Sequence, residues 1–310
     1  MTKYGCGFKA RTWLMAAVLA ALTTGCGDGI FGGSGGGAGG PGPAGPGPAL
    51  GAAATYGFFS GAALTGEGDD PNTRITGDAG TTGAAASVTG FHDGTTSYTE
   101  VCPAGIAAVG CGFVTGTITS GGASAAAQAA ALNAYSGPGG LSPAARPGGL
   151  DVTVNTQAVV GAPAADQLGG RTLAPGIYYS NAAGASASYQ ITGANDLILD
   201  AGGNANAVWV FQMDSTLLVS APAGPVATIA RTVQLIGNAQ AKNVFWYVPA
   251  GATINTGSNM VGTIISNAST TFGTSTGANP VIITTLNGRA LVTGGAGATL
   301  VNTHIIVPAP

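Results

Sequence analysis

Charged side chains are scarce in this sequence. They make up 7% of its 310 residues, against about a quarter in an average soluble protein. No aspartate or glutamate follows Asp214, and the few lysines and arginines form no cluster. With a net charge of −3, the chain lacks the basic patch that nucleic-acid-binding proteins need. The length allows one large β domain with appendages.

Groups that perform catalysis or bind metals are also few. His92 and His304 are too few and too far apart in sequence to indicate a metal site. Asp69-Asp70 reads as a solvated turn, whereas Asp196 and Asp200 flank a strand and are typical of strand ends in water. A glycosidase needs two carboxylates across a cleft, and the glycine clusters lack the Lys-Ser/Thr of phosphate-binding loops. We therefore expect no catalytic residue, no metal and no cofactor, and hence no enzyme.

The first 50 residues indicate export and tethering. Residues 1–26 have a basic start and a short apolar core, Trp13–Leu22, which is typical of a signal peptide. The segment ends in a sequence that resembles a bacterial lipobox, which predicts lipidation at Cys26 and a location on the outer membrane or cell surface. The alternative is ordinary cleavage and a secreted protein. The Gly/Pro-rich residues 27–50 predict a flexible tether, so the folded domain is expected at residues 51–310.

Two local features stand out early in this domain. Cys102 and Cys111 predict a disulfide that closes a small loop, with metal binding beside His92 as the alternative. The alanine-rich segment Ala123–Tyr135 predicts a helix that is capped by Ser120 or Ser124 and stopped by Gly137-Pro138. Leu132 and Tyr135 are expected to share its packing face.

A short pattern occurs four times in the second half of the chain. The copies are Asn206–Leu217, Asn243–Ile254, Val261–Phe272 and Arg289–Leu300. Aligned without gaps, they share an apolar column (Trp209, Trp246, Ile264, Val292), a threonine column (Thr216, Thr253, Thr271, Thr299) and a second apolar column (Leu217, Ile254, Phe272, Leu300). The spacings between these threonines are 37, 18 and 28 residues. They indicate two turns, one turn, and one turn with an insertion near Asn279–Gly288.

A repeat of this length is too short for a pair of helices and is typical of one rung of a β-solenoid. Rungs stack about 4.7–4.9 Å apart, so equivalent positions form ladders, with the apolar columns inside and the threonine column outside. The sequence therefore predicts an all-β solenoid, to which Thr73–Phe91 could add a rung. Its strands are too short and too often broken for an ordinary sandwich, although a jelly roll stays open as the alternative.

Period-2 alternation places the neighbours of the inward residues on one outer surface. The candidate binding residues on that surface are Thr216, Ser220, Thr253, Asn255, Thr271, Gly273, Ser275, Thr299 and Thr303, interrupted by Leu218, Gly257 and Val301. One explanation for the threonines on this surface is that threonine is a favourable residue in exposed strands. The other is that the surface binds a periodic solid. One methyl group contributes at most about 0.8 kcal/mol, but a rigid array in register adds many such contacts.

Ice is the uncharged lattice that such a surface fits best. Crystalline polysaccharide is the second candidate, but its binding sites present exposed aromatic rings. Aromatic residues are 6% of this chain, and Trp209 and Trp246 fall in the inward column.

Several segments resemble the microbial ice-binding domain that many secreted antifreeze proteins share. They are Thr73–Phe91, the alanine-rich helix, Leu173–Tyr178, Ala207–Gln212, Gln240–Val248, Val261–Ile264, Asn287–Leu291 and Val301–Ile305. The resemblance covers roughly residues 52–306. It implies a β-solenoid of triangular cross-section, with a long helix alongside and rungs that do not stack in sequence order. It also implies that the protein binds the surface of an ice crystal through one flat face and inhibits recrystallisation. We expect it to be a monomer.

Ice-face residues differ among members of that family, so the resemblance transfers the face and not a residue list. The second function class is a surface adhesin or structural module that kept the fold without ice activity. A flat threonine field favours ice binding, whereas Leu218 and Val301 interrupt the hydroxyl pattern.

Overall fold

The structure is a computed structural model that describes residues 43–66, 72–94, 111–151, 167–180, 188–192, 195–220, 230–273 and 282–309. These residues form short strands and one α-helix. The first strands are β1 (Tyr56–Ser60), β2 (Leu64–Gly66), β3 (Arg74–Ile75), β4 (Asp78–Thr81), β5 (Val88–Thr89), β6 (Phe91–Asp93), β7 (Gly112–Val114) and β8 (Ile118–Ser120). Helix α1 (Ala125–Ser136) follows them. The remaining strands are β9 (Leu150–Asp151), β10 (Thr172–Leu173), β11 (Gly176–Tyr179), β12 (Tyr189–Ile191), β13 (Leu197–Asp200), β14 (Trp209–Gln212), β15 (Leu217–Val219), β16 (Val233–Ile236), β17 (Val244–Val248), β18 (Ala252–Ile254), β19 (Asn259–Ser266), β20 (Thr270–Phe272), β21 (Thr284–Val292), β22 (Ala298–Leu300) and β23 (Thr303–Ile306). The described residues also include 3₁₀ turns at Gly51–Ala53, Ala85–Ser87, Gly121–Ser124 and Ala241–Asn243.

Every strand pairing among the described residues is parallel. The pairings define three faces around a common apolar interior. The threonine face consists of β12, β15, β18, β20, β22, β2 and β5 in that order. Parallel ladders of short strands are the arrangement of a β-solenoid, which confirms the predicted fold and excludes the antiparallel jelly roll.

The other two faces share their longest strands. The helix face consists of β9, β11, β14, β17, the second halves of β19 and β21, β1, β4 and β8. The polar face consists of β10, β13, β16, the first halves of β19 and β21, β23, β3, β7 and β6. Thus β19 and β21 run continuously around one corner of the solenoid.

Glycines make this corner possible. Gly262 and Gly288 are paired in register, and Gly262 has a positive φ of 96°. A Cβ atom on Gly288 would lie 1.8 Å from the carbonyl oxygen of Gly262, so a side chain cannot be accommodated at this position.

The rungs do not stack in the order of the chain. β1 pairs with β21, β2 pairs with β22, and β23 pairs with both β21 and β3. One rung is therefore assembled from both ends of the domain, as the family resemblance implies. β3, β4 and β5 form the next rung, which confirms that residues 73–91 supply one. The prediction of two turns between Thr216 and Thr253 is wrong, since β15 and β18 are direct neighbours.

Aromatic side chains stack along the interior. The rings of Phe211 and Trp246 lie 4.1 Å apart and nearly parallel, and Tyr178 stacks on the other side of Phe211. Both Trp209 and Trp246 are fully buried, and their indole N–H groups donate to the carbonyl oxygens of Leu173 and Val261. These two tryptophans therefore form part of the core, as the apolar column predicts.

Helix α1 packs on the helix face, and Tyr135 takes part in the contact as predicted, whereas Leu132 does not. Three small residues, Ala127, Ala131 and Ala134, are buried against it. Tyr135 stacks on Tyr247 at 4.5 Å, and burial together with a hydrogen bond to Tyr247 raises its pKa. The prediction for Leu132 is wrong, since this side chain is exposed; neither does a serine side chain cap the first turn. With 12 residues the helix is short, and no helix among the described residues is long and apolar enough to span a membrane.

The folded unit begins before residue 51. Ala44 and Pro48 are buried, and Leu50 packs in the layer beneath α1. The predicted tether is therefore too long at its C-terminal end. The signal segment and the lipidation of Cys26 fall outside the described residues and stay predictions. Cys111 is disulfide-bonded, whereas Cys102 also falls outside the described residues, so the pairing itself stays a prediction.

Candidate functional site

The threonine face carries a straight row of outward side chains, which we call the central row. Its members in stacking order are Gln190, Leu218, Thr253, Thr271, Thr299, Thr65 and Thr89. Each is the exposed or partly exposed residue of a strand whose flanking residues point into the core. The last five members are all threonine, and successive members are separated by one rung, about 4.8 Å.

Polar side chains flank this row and are linked between rungs. The hydroxyl groups of Ser188 and Thr216 lie 2.9 Å apart, and the backbone N–H of Thr216 donates to the Ser188 Oγ. On the other side, the Asn255 Nδ2 donates to the Ser220 Oγ at 2.9 Å. These contacts restrict the rotamers of the flanking side chains, so less conformational entropy remains to be lost when a ligand binds.

The alignment of the four copies is only partly right. Thr253, Thr271 and Thr299 are in register as predicted. Thr216, however, does not belong to their row, because Leu218 is the residue paired with Thr253. The ungapped alignment was shifted by two residues in its first copy, and Thr216 lies in the flanking row instead, where it is exposed.

Some predicted surface positions point inward or lie elsewhere. Thr303 is fully buried in β23 on the polar face, and its hydroxyl donates to the carbonyl oxygen of Val301. The prediction fails because the chain turns at Asn302, which has a φ of +45°, and the turn ends the alternation. Gly273 and Gly257 are also buried, so neither offers an outward side. Ser275 falls outside the described residues.

Sequence reasoning missed Thr65 and Thr89. Thr65 pairs with Thr299 and Thr89 pairs with Thr65. These two N-terminal residues therefore extend the central row beyond the threonines of the C-terminal half. The only local signal is a short triplet, since Leu64-Thr65-Gly66 has the inward–outward–inward pattern of Ala298-Thr299-Leu300. Such triplets are common in sequences, so this one does not indicate that Thr65 belongs to the central row unless the strand pairing is known.

The polar face differs in character from the threonine face. Its outward positions include Arg74, Asp200, Gln234 and His304. Asp196 accepts hydrogen bonds from the Thr232 backbone N–H and the Gln234 Nε2, and one oxygen lies 3.8 Å from the Arg231 guanidinium.

These carboxylates therefore stabilise turns and strand ends. Asp200 accepts a hydrogen bond from the Gly202 N–H, which is again a structural contact.

The described outward residues of the threonine face include no charged side chain. The nearest carboxylate in sequence to its β15 strand is Asp214, which lies before the strand and accepts from the Tyr179 hydroxyl at 2.6 Å.

The remaining face is covered. α1 and residues 43–50 pack over outward residues of the helix face, including Phe59, Val210, Phe245, Ile265 and Leu291. Among the described residues, the threonine face is therefore the uncovered face that combines small side chains with a lack of charge. Fold and surface together define a β-solenoid with one flat, uncharged, periodic face.

Comparison with known proteins gives the same class. The family model described as ice-binding-like matches residues 58–306, and the chain belongs to this family. It is 32% identical over 248 residues to an ice-binding protein from Nostoc sp. (strain HG1), covering 80% of this chain and 70% of that protein. It is 36% identical over 105 residues to ice-binding protein K3-B1 from Typhula ishikariensis, which covers 34% of this chain and only 36% of that protein.

A solved structure agrees with the fold. The chain superposes on the crystal structure of an ice-binding protein from the ascomycete Antarctomyces psychrotrophicus with a TM-score of 0.55 and 28% identity. The match covers 85% of this chain and all of that one.

Proposed function

We propose that this protein binds ice through its threonine face and thereby inhibits ice growth and recrystallisation. The observation that carries the proposal is the central row, in which five threonines on adjacent strands stand in register. The family membership supports ice as the ligand. The contact surface comprises the central-row threonines together with Thr216, Ser220 and Asn255 at its flanks.

The physical basis is the sum of many weak contacts. Each threonine methyl group contributes at most about 0.8 kcal/mol when it is buried against the lattice. Because the strands are parallel and the side chains are short, all of these groups meet a flat crystal at once, without rearrangement. A rigid surface loses little entropy on binding, so the small contributions add up to useful affinity.

The composition of the face favours ice over a crystalline polysaccharide. A polysaccharide site would need exposed aromatic rings, but Trp209 and Trp246 are fully buried. The outward residues of this face are threonine, serine, asparagine, glutamine, leucine and small apolar residues. They can meet the alternating oxygens and gaps of an ice surface without burying a charge.

The test is ice recrystallisation in the presence of the wild-type protein and of Thr271→Tyr. A tyrosine at the centre of the row would hold the face away from a flat lattice, so we expect grain growth to be suppressed by wild type but at least tenfold less by the variant. Thr285→Tyr is the matched control, since Thr285 is equally partly exposed but lies on the polar face. Absence of suppression by wild type at micromolar concentration would favour the adhesin alternative, and full activity in folded Thr271→Tyr would assign the site to another surface.

We further propose that the protein is exported and anchored by a lipid on Cys26. The basic start, the short apolar core and the lipobox-like ending of residues 1–26 support this. Cells that are fed a labelled fatty acid should incorporate label into the wild-type protein and not into Cys26→Ser. Equal labelling of the two proteins would reject the anchor.

A further inference from the structure

The last part of the Gly/Pro-rich segment lies in a groove on the helix face. Residues 43–50 run beside α1. Ala44 lies at one end of the segment, and Leu50 at the other end packs against the apolar layer between α1 and the helix face. Gly47 sits directly on the ring of Phe245, where a Cβ atom would lie 2.5 Å from the Cζ. At Gly47 the segment therefore meets the groove through its backbone, and a side chain has no space there.

A partly buried arginine holds the N-terminal end of this segment. The Arg146 guanidinium donates to the carbonyl oxygens of Gly139 and Gly140, each at 2.8 Å, and also to the carbonyl oxygen of Ala44. Burial lowers the pKa of Arg146, so holding its charge here costs desolvation free energy. Three carbonyl dipoles offset that cost, and one of them belongs to the Gly/Pro-rich segment.

The loop that carries Arg146 is itself fixed to the solenoid. The Gln212 Nε2 in β14 donates to the carbonyl oxygens of Leu141 and Arg146, at 2.9 and 3.0 Å. Leu141 is fully buried in the same layer as Val210 and Phe245. A rigid strand therefore positions the loop, and the loop positions the guanidinium.

We propose that this groove is an intramolecular binding site for an extended Gly/Pro-rich peptide, residues 43–50, and that Arg146 closes it. Its role is to fix where the preceding residues leave the domain. Ala44, at the start of the segment, lies on the helix face beyond the C-terminal end of α1, so an anchor that precedes the segment joins the domain on a different face from the threonine face. This role for the groove rests on the proposed ice binding, but occupancy of the groove does not.

Limited proteolysis of the full chain tests the proposal. With a protease of broad specificity and mass spectrometry, we expect the resistant wild-type fragment to begin at or before Ala44. In Arg146→Ala the segment should be released, so that cleavage between Ala44 and Leu50 becomes at least tenfold faster while the rest of the domain resists. Arg74→Ala is the matched control, since Arg74 is an exposed arginine on the polar face.

A second variant keeps the test decisive if Arg146→Ala does not fold. Gly47→Leu displaces the segment from Phe245 without changing the Arg146 loop, and Pro46→Ala, at an exposed neighbour, serves as its control. Faster cleavage in Gly47→Leu alone supports the groove. A wild-type fragment that begins after Leu50, or equal cleavage in Gly47→Leu and Pro46→Ala, overturns it. The assay contains no ice, so its failure is distinct from a failure of ice binding.

Discussion

A single apolar side chain limits the row of threonines at one end. Leu218 is paired with Thr253 in the central row and is only partly exposed. Its branched side chain extends further from the strand than a threonine and lacks the hydroxyl group. The flat array therefore begins at Thr253, although the solenoid itself continues for further rungs.

Replacing this residue should extend the binding surface. In Leu218→Thr the array gains one member, and we expect inhibition of recrystallisation at a concentration about two- to fourfold lower, since one added contact of about 0.8 kcal/mol corresponds to about fourfold in affinity. The control is Leu132→Thr, which makes the same change on the exposed side of α1. Unchanged activity in Leu218→Thr would mean that the lattice contact does not reach β15.

At this scale the sequence predicts which side a residue faces better than which row it joins. Thr253, Thr271 and Thr299 were assigned to one row correctly because the ungapped alignment matched their three strands in the register that the structure has. Thr216 was misplaced by two residues, a shift that leaves inward and outward positions unchanged and is therefore invisible to alternation. Thr303 was wrong because a residue of positive φ, Asn302, interrupts the strand before it.

At the scale of elements, the corner of β19 and β21 determines how the faces meet. The two strands pass from the polar face to the helix face at Gly262 and Gly288, where backbone lies against backbone. Because β20 and β22 follow directly from these strands, the corner also sets the position of Thr271 and Thr299. A change here should act on stability first and on the binding face only as a consequence.

We expect Gly288→Ala to lower the free energy of unfolding by about 2–4 kcal/mol, because its methyl group has no space beside the Gly262 carbonyl. Gly295→Ala provides the comparison, since a Cβ atom there meets no atom within 4 Å. Chemical denaturation of both variants measures the difference. A similar midpoint for the two would show that the corner relaxes without cost.

The elements themselves were largely predictable from the sequence. The helix was predicted at residues 123–135 and is observed at Ala125–Ser136, after a 3₁₀ turn. Its orientation was not predictable, because an alanine-rich helix has no clear apolar stripe. Small alanines allow close approach to the helix face, so they form the contact and the larger Leu132 points outward.

For the whole molecule, the important feature is that both ends of the domain meet in one rung. β23 and β1 both pair with the same long strand, β21. The threonine face is therefore completed only when the N-terminal strand β2 pairs with β22 and β5 pairs with β2. Alternation and local repeats reveal strands but not their partners, which is why Thr65 and Thr89 could not be assigned from sequence. The family resemblance indicated non-sequential stacking without specifying which strands adjoin.

The measurement that tests the account most directly is adsorption of fluorescently labelled protein to a single ice crystal. Wild type should cover the crystal surface and remain after exchange of the solution. Two sheet variants, Thr65→Tyr and Thr253→Tyr/Thr271→Tyr, should lose most of this signal, because they disturb one face from opposite ends of the chain. The matched variant Thr232→Tyr/Thr285→Tyr, on the polar face, should retain it. Retention by both folded threonine-face variants, or loss only in the polar-face variant, would contradict the assignment of the threonine face as the ice-binding surface.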